Sequence, residues 1–183
     1  MRTIINYMPR WSTFRRGKYT VEIGYPWLAR GSIMALERVL TPEFKVLEFG
    51  CGGSTVFFSK RCKSVKSIEY SQEWIDKVKA KIGEESNVTF QLIDKTTIID
   101  RLKEEPDDYY DLILDDIGND LSWLKIRLAI ANLVHQKLKK NGFLVIDNYM
   151  DRYVNRIRYD GFDIYTFDEF NYPGKGTRIC IKQ

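Results

Sequence analysis

Apolar residues gather along the chain into short runs that alternate with stretches of helical periodicity. "FKVLEF" (44–49), "VKSIEY" (65–70), "VTFQLI" (88–93), "YDLILD" (110–115) and "GFLVID" (142–147) are compact apolar segments. Their length and β-branched content predict buried strands. The intervening segments predict helices near 54–61, 72–82, 96–104, 121–138 and 151–160. Ahead of the first strand, "YPWLARGSIMALERVL" reads as a helix with Pro26 at its first position and Leu28, Ile33, Leu36 and Leu40 on one face. The last two runs, "FDIYTF" (162–167) and "TRICIK" (177–182), have no helix between them and predict an antiparallel pair. Strand–helix alternation of this kind predicts an α/β fold, a parallel sheet covered on both faces. Ligands of such sheets bind beyond the carboxyl ends of the strands. The loops after residues 49, 70, 93, 115, 147 and 167 therefore form one functional edge.

Composition narrows the class without naming a partner. The 183 residues suit one domain, and a net charge of +4 is too mild to specify nucleic acid or membrane. No apolar run is long enough to span a bilayer, and "MRTIINYMPRWST" lacks the apolar core of a signal peptide. Cys51, Cys62 and Cys180 are odd in number and scattered, which suits reduced thiols. The expectation is a soluble, cytoplasmic protein.

The densest chemistry lies in "KVLEFGCGGSTVFFSK" (45–60), where Glu48 precedes Gly50, Gly52 and Gly53 at a strand-to-helix turn. Glycines there let a ligand approach the backbone, with helix amides pointing at it. The dinucleotide fingerprint requires a third spaced glycine, and Thr55 stands in that place. A carboxylate at Glu48 would repel a pyrophosphate and attract a ligand with cationic groups. Glu69 ends the second strand, where a carboxylate can accept both hydroxyls of a ribose. Asp94 ends the third, within reach of an adenine amino group.

"VLEFGCGGST", "VKSIEY", "YDLILDD" and "LKKNGFLVIDN" together resemble the class I S-adenosylmethionine-dependent methyltransferases, from about Trp27 to the end of the chain. The resemblance implies a Rossmann-like, doubly wound seven-stranded sheet, mostly parallel with an antiparallel C-terminal strand. It implies S-adenosylmethionine as cofactor, with Gly50, Gly52, Gly53 and Ser54 in the loop that lines its methionine and ribose. Glu48 would lie near the ammonium end, Glu69 on the ribose hydroxyls, and Asp94 near the adenine. Asp115 is a further cofactor-contact candidate.

The acceptor is less constrained. No proline directly precedes a cysteine, and "LDDIGND" stands where adenine-N6 enzymes carry their proline-rich motif, so both DNA-base classes are disfavoured. Asp115 and Asp116 follow the fourth strand, and Asp147 and Asn148 follow the fifth. Converging oxygens of this kind suit Mg²⁺ or another divalent cation, which would acidify an acceptor hydroxyl. The arrangement resembles the cation-dependent O-methyltransferases, with Asp115, Asp147 and Asn148 at the metal-ligand positions. Those enzymes carry a catalytic lysine where this chain has Gly118, so a base would be Asp116 or Asp120. The competing reading has these carboxylates capping helices or contacting the cofactor.

Residues 1–24 form an expected arm or substrate lid before a methyltransferase domain at 25–183. The segment mixes Tyr7, Trp11, Phe14 and Tyr19, with Tyr25 just beyond, among Arg10, Arg15, Arg16 and Lys18. His135 falls on an apolar helical stripe at the far end of the sheet and is expected to be structural. The expected function is S-adenosylmethionine-dependent methyl transfer to a hydroxyl of a small molecule or saccharide, with divalent-cation assistance. The rivals are an RNA methyltransferase using the basic arm and a non-catalytic cofactor-binding subunit.

Overall fold

A computed structural model describes residues 20–83, 86–118, 121–148, 159–167 and 176–183. Seven strands form one sheet: β1 (Lys45–Phe49), β2 (Ser64–Glu69), β3 (Val88–Leu92), β4 (Tyr110–Asp115), β5 (Leu138–Asp147), β6 (Phe162–Phe167) and β7 (Thr177–Lys182). Their order is β3-β2-β1-β4-β5-β7-β6. The pairs β1–β2, β2–β3, β1–β4 and β4–β5 are parallel, and β7 runs antiparallel to both β5 and β6. The strand order reverses at β1 and β4, where Phe49 stands opposite Asp115. A crevice beyond the carboxyl ends of these two strands is the expected ligand position.

The period of two along each strand builds a core on both faces. Leu47, Phe49, Ile113, Leu144 and Ile146 face the helices α5 (Ile98–Glu104) and α6 (Leu124–Lys137). Val46, Leu112, Leu114 and Val145 face Leu28, Ile33, Leu36, Phe57 and Phe58, which belong to α2 (Arg30–Val39), its lead-in, and α3 (Gly53–Ser59). Helix α4 (Gln72–Ile82) is capped by Ser71, whose hydroxyl accepts from the Trp74 amide. A 3₁₀ turn at Leu121–Trp123 leads into α6. Among the described residues, no helix is long and apolar enough to cross a membrane.

Three elements differ from the sequence expectation. The helix expected from Tyr25 begins only at Arg30. The Ala29 amide is held by Thr177 Oγ1 at 2.9 Å, and Tyr25 is anchored through its ring on Phe57 and its hydroxyl on Glu37. These tertiary contacts hold 25–29 in a non-helical crossing with a bend at Trp27 and Leu28. Second, a short helix α1 (Thr20–Ile23) precedes that crossing, with Val21 buried beside Val56 and Val78. The packed body thus includes residues assigned from sequence to the arm. Third, β5 starts directly at the end of α6, so polar "KKN" belongs to a strand rather than a loop. Most of the helix expected at 151–160, residues 1–19, Asp120 and most of the loop 168–177 lie outside the described residues.

Candidate active site

The glycine loop is shaped by close approaches. Gly50 has φ +94°, and a Cβ there would stand 2.6 Å from the Asp116 carbonyl oxygen. Only glycine lets β1 turn so tightly over the end of β4. Gly53 would place a Cβ 2.0 Å from the Tyr25 carbonyl oxygen and 2.6 Å from that of Thr20. Its missing side chain is filled by the chain's own N-terminal segment. Gly52 is the open one, with nothing nearer to its Cβ position than Thr20 Oγ1 at 3.8 Å. The Gly52 amide donates to Thr55 Oγ1 at 2.9 Å, so the threonine that breaks the dinucleotide fingerprint secures the turn.

β1 and β2 deliver two carboxylates to this loop. Glu48 is fully buried; its Oε2 accepts from Ser54 Oγ at 2.9 Å, and its Oε1 has no hydrogen-bond partner. Burial pushes its pKa up to about 7; the Thr55, Ser54 and Ser67 hydroxyls stand close enough to offset part of the rise, and of these only Ser54 is at hydrogen-bond geometry. Ser54 therefore meets the loop from inside, through Glu48. Glu69, also buried, accepts three backbone amides at 2.8 Å: Cys51 on Oε2, Tyr70 and Ser71 on Oε1. It ties the glycine loop to the end of β2. Asp94 is exposed, and its Oδ1 accepts from the Thr96 hydroxyl at 2.6 Å and the Thr96 amide at 2.8 Å. These bonds close its own turn and hold its carboxyl below the usual value.

The acids after β4 and β5 are organised by an arginine that sequence reasoning did not single out. Arg127, in the first turns of α6, is buried with Asp115 and Asp147. Its Nε donates to Asp115 Oδ1 at 3.1 Å, and one Nη2 donates to the carbonyl oxygens of Asp115 at 2.7 Å and Asp147 at 2.8 Å. Asp115 Oδ2 is left without a partner. Asp147 Oδ1 accepts from Thr177 Oγ1 at 3.1 Å, and Oδ2 accepts from Asn148 Nδ2 at 2.8 Å. Burial raises the pKa of Asp115 against the pull of Arg127, and raises that of Asp147, with Asp116 adding to it. Asp116 is half-buried in relative exposure, and loss of solvent moves its pKa to about 7.

The expected cation site at Asp115, Asp147 and Asn148 does not assemble in this arrangement. Asp115 already faces a guanidinium, and Asn148 turns its amide nitrogen toward Asp147. Among the described residues, no group of three or more His, Cys, Asp or Glu side chains is placed to hold a metal ion. The lysine position of the cation-dependent enzymes has a physical occupant. A Cβ on Gly118, at φ +67°, would fall 2.2 Å from Trp123 Cγ. That buried indole packs against Tyr70 with ring centroids 4.6 Å apart, and Lys95 Nζ stands 4.5 Å over its ring.

His135 sits near the end of α6, distant from the strand ends, as expected. It is exposed and bonds its own helix at the Asn132 carbonyl at 2.8 Å, rather than packing in an apolar stripe. The clue to Arg127 was present in the sequence. It shares the buried face of Ile130, Ala131 and Val134 at helical spacing, a charged residue in an apolar stripe. Thr20 gave no comparable signal.

No family model matches the sequence, and no curated protein matches it significantly. Solved structures do match the fold. A Streptococcus mutans protein crystallised in complex with SAH superposes with TM-score 0.62 at 18% identity, covering 81% of this chain and 93% of that one. An rRNA methylase from Streptococcus thermophilus gives 0.60 at 19%, covering 84% and 96%. The N-methyltransferase NodS from Bradyrhizobium japonicum gives 0.57 at 16%, covering 84% and 95%. Strand order and these superpositions agree: the chain has the fold of the class I S-adenosylmethionine-dependent methyltransferases.

Proposed function

We propose that the chain is an S-adenosylmethionine-dependent methyltransferase acting on a hydroxyl of a small molecule or saccharide. The observation that carries the cofactor reading is the buried, unpartnered Glu48 Oε1 at the topological switch point, near the end of β1 and just ahead of the glycine loop. A buried carboxylate oxygen without a donor is costly unless a ligand supplies one. An ammonium group supplies both the charge and the hydrogen bond. Bound there, the cofactor would contribute a methyl group activated by its sulfonium.

The chain's own groups have separable roles in this reading. Glu48, oriented by Ser54, holds the ammonium end, and Gly50, Gly52 and Gly53 keep the loop low enough for close approach. Glu69 takes the ribose hydroxyls. A carboxylate has about four acceptor sites and three are engaged by amides, so a diol would displace one of them. Asp94 faces the adenine from its exposed turn, and Asp115 completes the floor. Asp116, next along from Asp115 and near neutral in its pKa, takes the proton from the acceptor hydroxyl.

A second reading, an RNA acceptor, is favoured by one observation. The basic, aromatic composition of 1–19 combines stacking and phosphate-pairing residues, and one fold neighbour is an rRNA methylase. Incubating the full chain with S-adenosylmethionine and separate panels of hydroxylated metabolites, saccharides and RNA, with S-adenosylhomocysteine release as readout, distinguishes these. Release with saccharides or small hydroxyl compounds supports the first reading, and salt-sensitive release with RNA alone supports the second. No release with any acceptor leaves the non-catalytic subunit as the better account.

A further inference from the structure

The donor set at the ends of β4 and β5 disagrees with a divalent-cation site, and we infer that Arg127 occupies that role. It is a positioning residue that fixes the two acid-bearing strand ends, so that methyl transfer here needs no divalent metal. The inference rests on the proposed methyltransferase reading for its function, though not for its geometry.

The bridge is built from three directed bonds. The Nη2 group donates to the carbonyl oxygens of both Asp115 and Asp147, at 2.7 and 2.8 Å, which sets the spacing between the final residues of β4 and β5. Nε engages the Asp115 carboxylate at 3.1 Å. A guanidinium stays protonated across the accessible pH range and its planar fork suits two acceptors at once. A lysine would offer a point charge without that geometry. Arg127 is 3% exposed and Asp115 fully buried, so the charge is neither screened nor exchangeable with solvent ions.

Asp147 is likewise engaged, while Asp115 Oδ2, the oxygen that Nε does not bond, stays buried without a partner. Both Asp147 carboxylate oxygens accept bonds, from Thr177 and from Asn148. The Asn148 amide cannot turn its oxygen inward without setting it against the Asp147 carboxylate. A divalent cation drawn to Asp115 would compete with Arg127 for the same carboxylate and would sit against a buried guanidinium, an uncompensated repulsion. Nor could a lysine at position 118 assist, since the Trp123 ring fills that space. The influence of Arg127 reaches the cofactor loop as well. The Asp116 amide donates to the Phe49 carbonyl at 3.1 Å, and its carbonyl abuts Gly50. Where β4 ends therefore decides where the loop lies.

The test titrates Mn²⁺, as a paramagnetic probe, into the full chain and follows free ion by electron paramagnetic resonance. Calorimetry with S-adenosylhomocysteine, with and without EDTA, runs in parallel. The expected results are no stoichiometric Mn²⁺ binding and the same S-adenosylhomocysteine affinity under both conditions. Arg127→Met should weaken that affinity by roughly tenfold or more, and Arg127→Lys by less. The double variant Asp115→Asn with Arg127→Met should recover part of the loss, because it removes the unpaired buried charge. Stoichiometric Mn²⁺ binding by the wild type, lost in Asp147→Ala, would overturn the inference, and so would an unchanged affinity in Arg127→Met. If Arg127→Met does not fold, the wild-type Mn²⁺ titration still decides. Absence of S-adenosylhomocysteine binding by the wild type would instead sink the methyltransferase reading, and the Mn²⁺ result would stand apart from it.

Discussion

Glu48 concentrates the residue-scale argument, because burial and hydrogen bonding pull its proton in opposite directions. Its pKa rises from 4.5 to about 7 in the folded chain. Between those values the native state keeps a proton that the unfolded state has released, so stability falls as pH rises through the window. The contribution is up to roughly 3 kcal/mol. Denaturant titrations at pH 5 and pH 7.5 should show a loss that shrinks in Glu48→Gln; equal losses in both proteins would refute the assignment. An ammonium partner favours the ionised acid, so cofactor binding near pH 6 should release a proton, seen as a buffer-dependent heat that Glu48→Gln removes. Glu69→Ala should weaken S-adenosylhomocysteine binding by roughly 1–3 kcal/mol, and calorimetry showing unchanged affinity would remove it from the ribose site. Glu48 and Glu69 stood out in the sequence as acids ending strands, and the fold brings both to the glycine loop, Glu48 through Ser54 and Glu69 through the Cys51 amide. Arg127 was not singled out, because its role depends on two carbonyls that only the sheet order brings together.

Among the elements, the N-terminal segment is packed against the glycine loop more closely than its sequence indicated. Helix α1 packs Val21 against Val56 and Val78, and the backbone of Thr20 and Tyr25 fills the space above Gly53. Removing residues 1–18 should leave S-adenosylhomocysteine affinity nearly unchanged while lowering turnover, if those residues serve the acceptor. Extending the deletion through residue 24 should weaken cofactor binding as well. Equal affinity for both truncations would separate α1 from the site. Gly53→Ala should destabilise the fold by about 1–3 kcal/mol, measured by chemical denaturation, since its Cβ would fall 2.0 Å from the Tyr25 carbonyl oxygen. The late start of α2 was hidden from the sequence for a related reason. Pro26 and the apolar spacing both permit a helix at 25–29, and a hydrogen bond from Ala29 to a strand 148 residues away decides otherwise.

For the whole molecule, the sheet was readable because each buried strand is a short apolar run and the segments between them are long enough and of the right composition to be helices. The reversal of strand order at β1 and β4 then follows from packing helices on both faces. The start of β5 at Leu138 was not readable, because "LKKN" is polar and its pairing with Tyr110 comes from a register shift along β4. The acid cluster shows the same limit at the site. Sequence brought Asp115, Asp147 and Asn148 to one edge, and only the packing of α6 revealed that a guanidinium lies beneath them. In the proposed function, Glu48 and Glu69 at the switch point would oppose a pyrophosphate and suit a cationic nucleoside. Calorimetric titration of the full chain with S-adenosylmethionine, and separately with NADH, tests that claim most directly. Saturable binding of S-adenosylmethionine and none of NADH is the expected result; NADH binding in place of S-adenosylmethionine would rule the methyltransferase reading out.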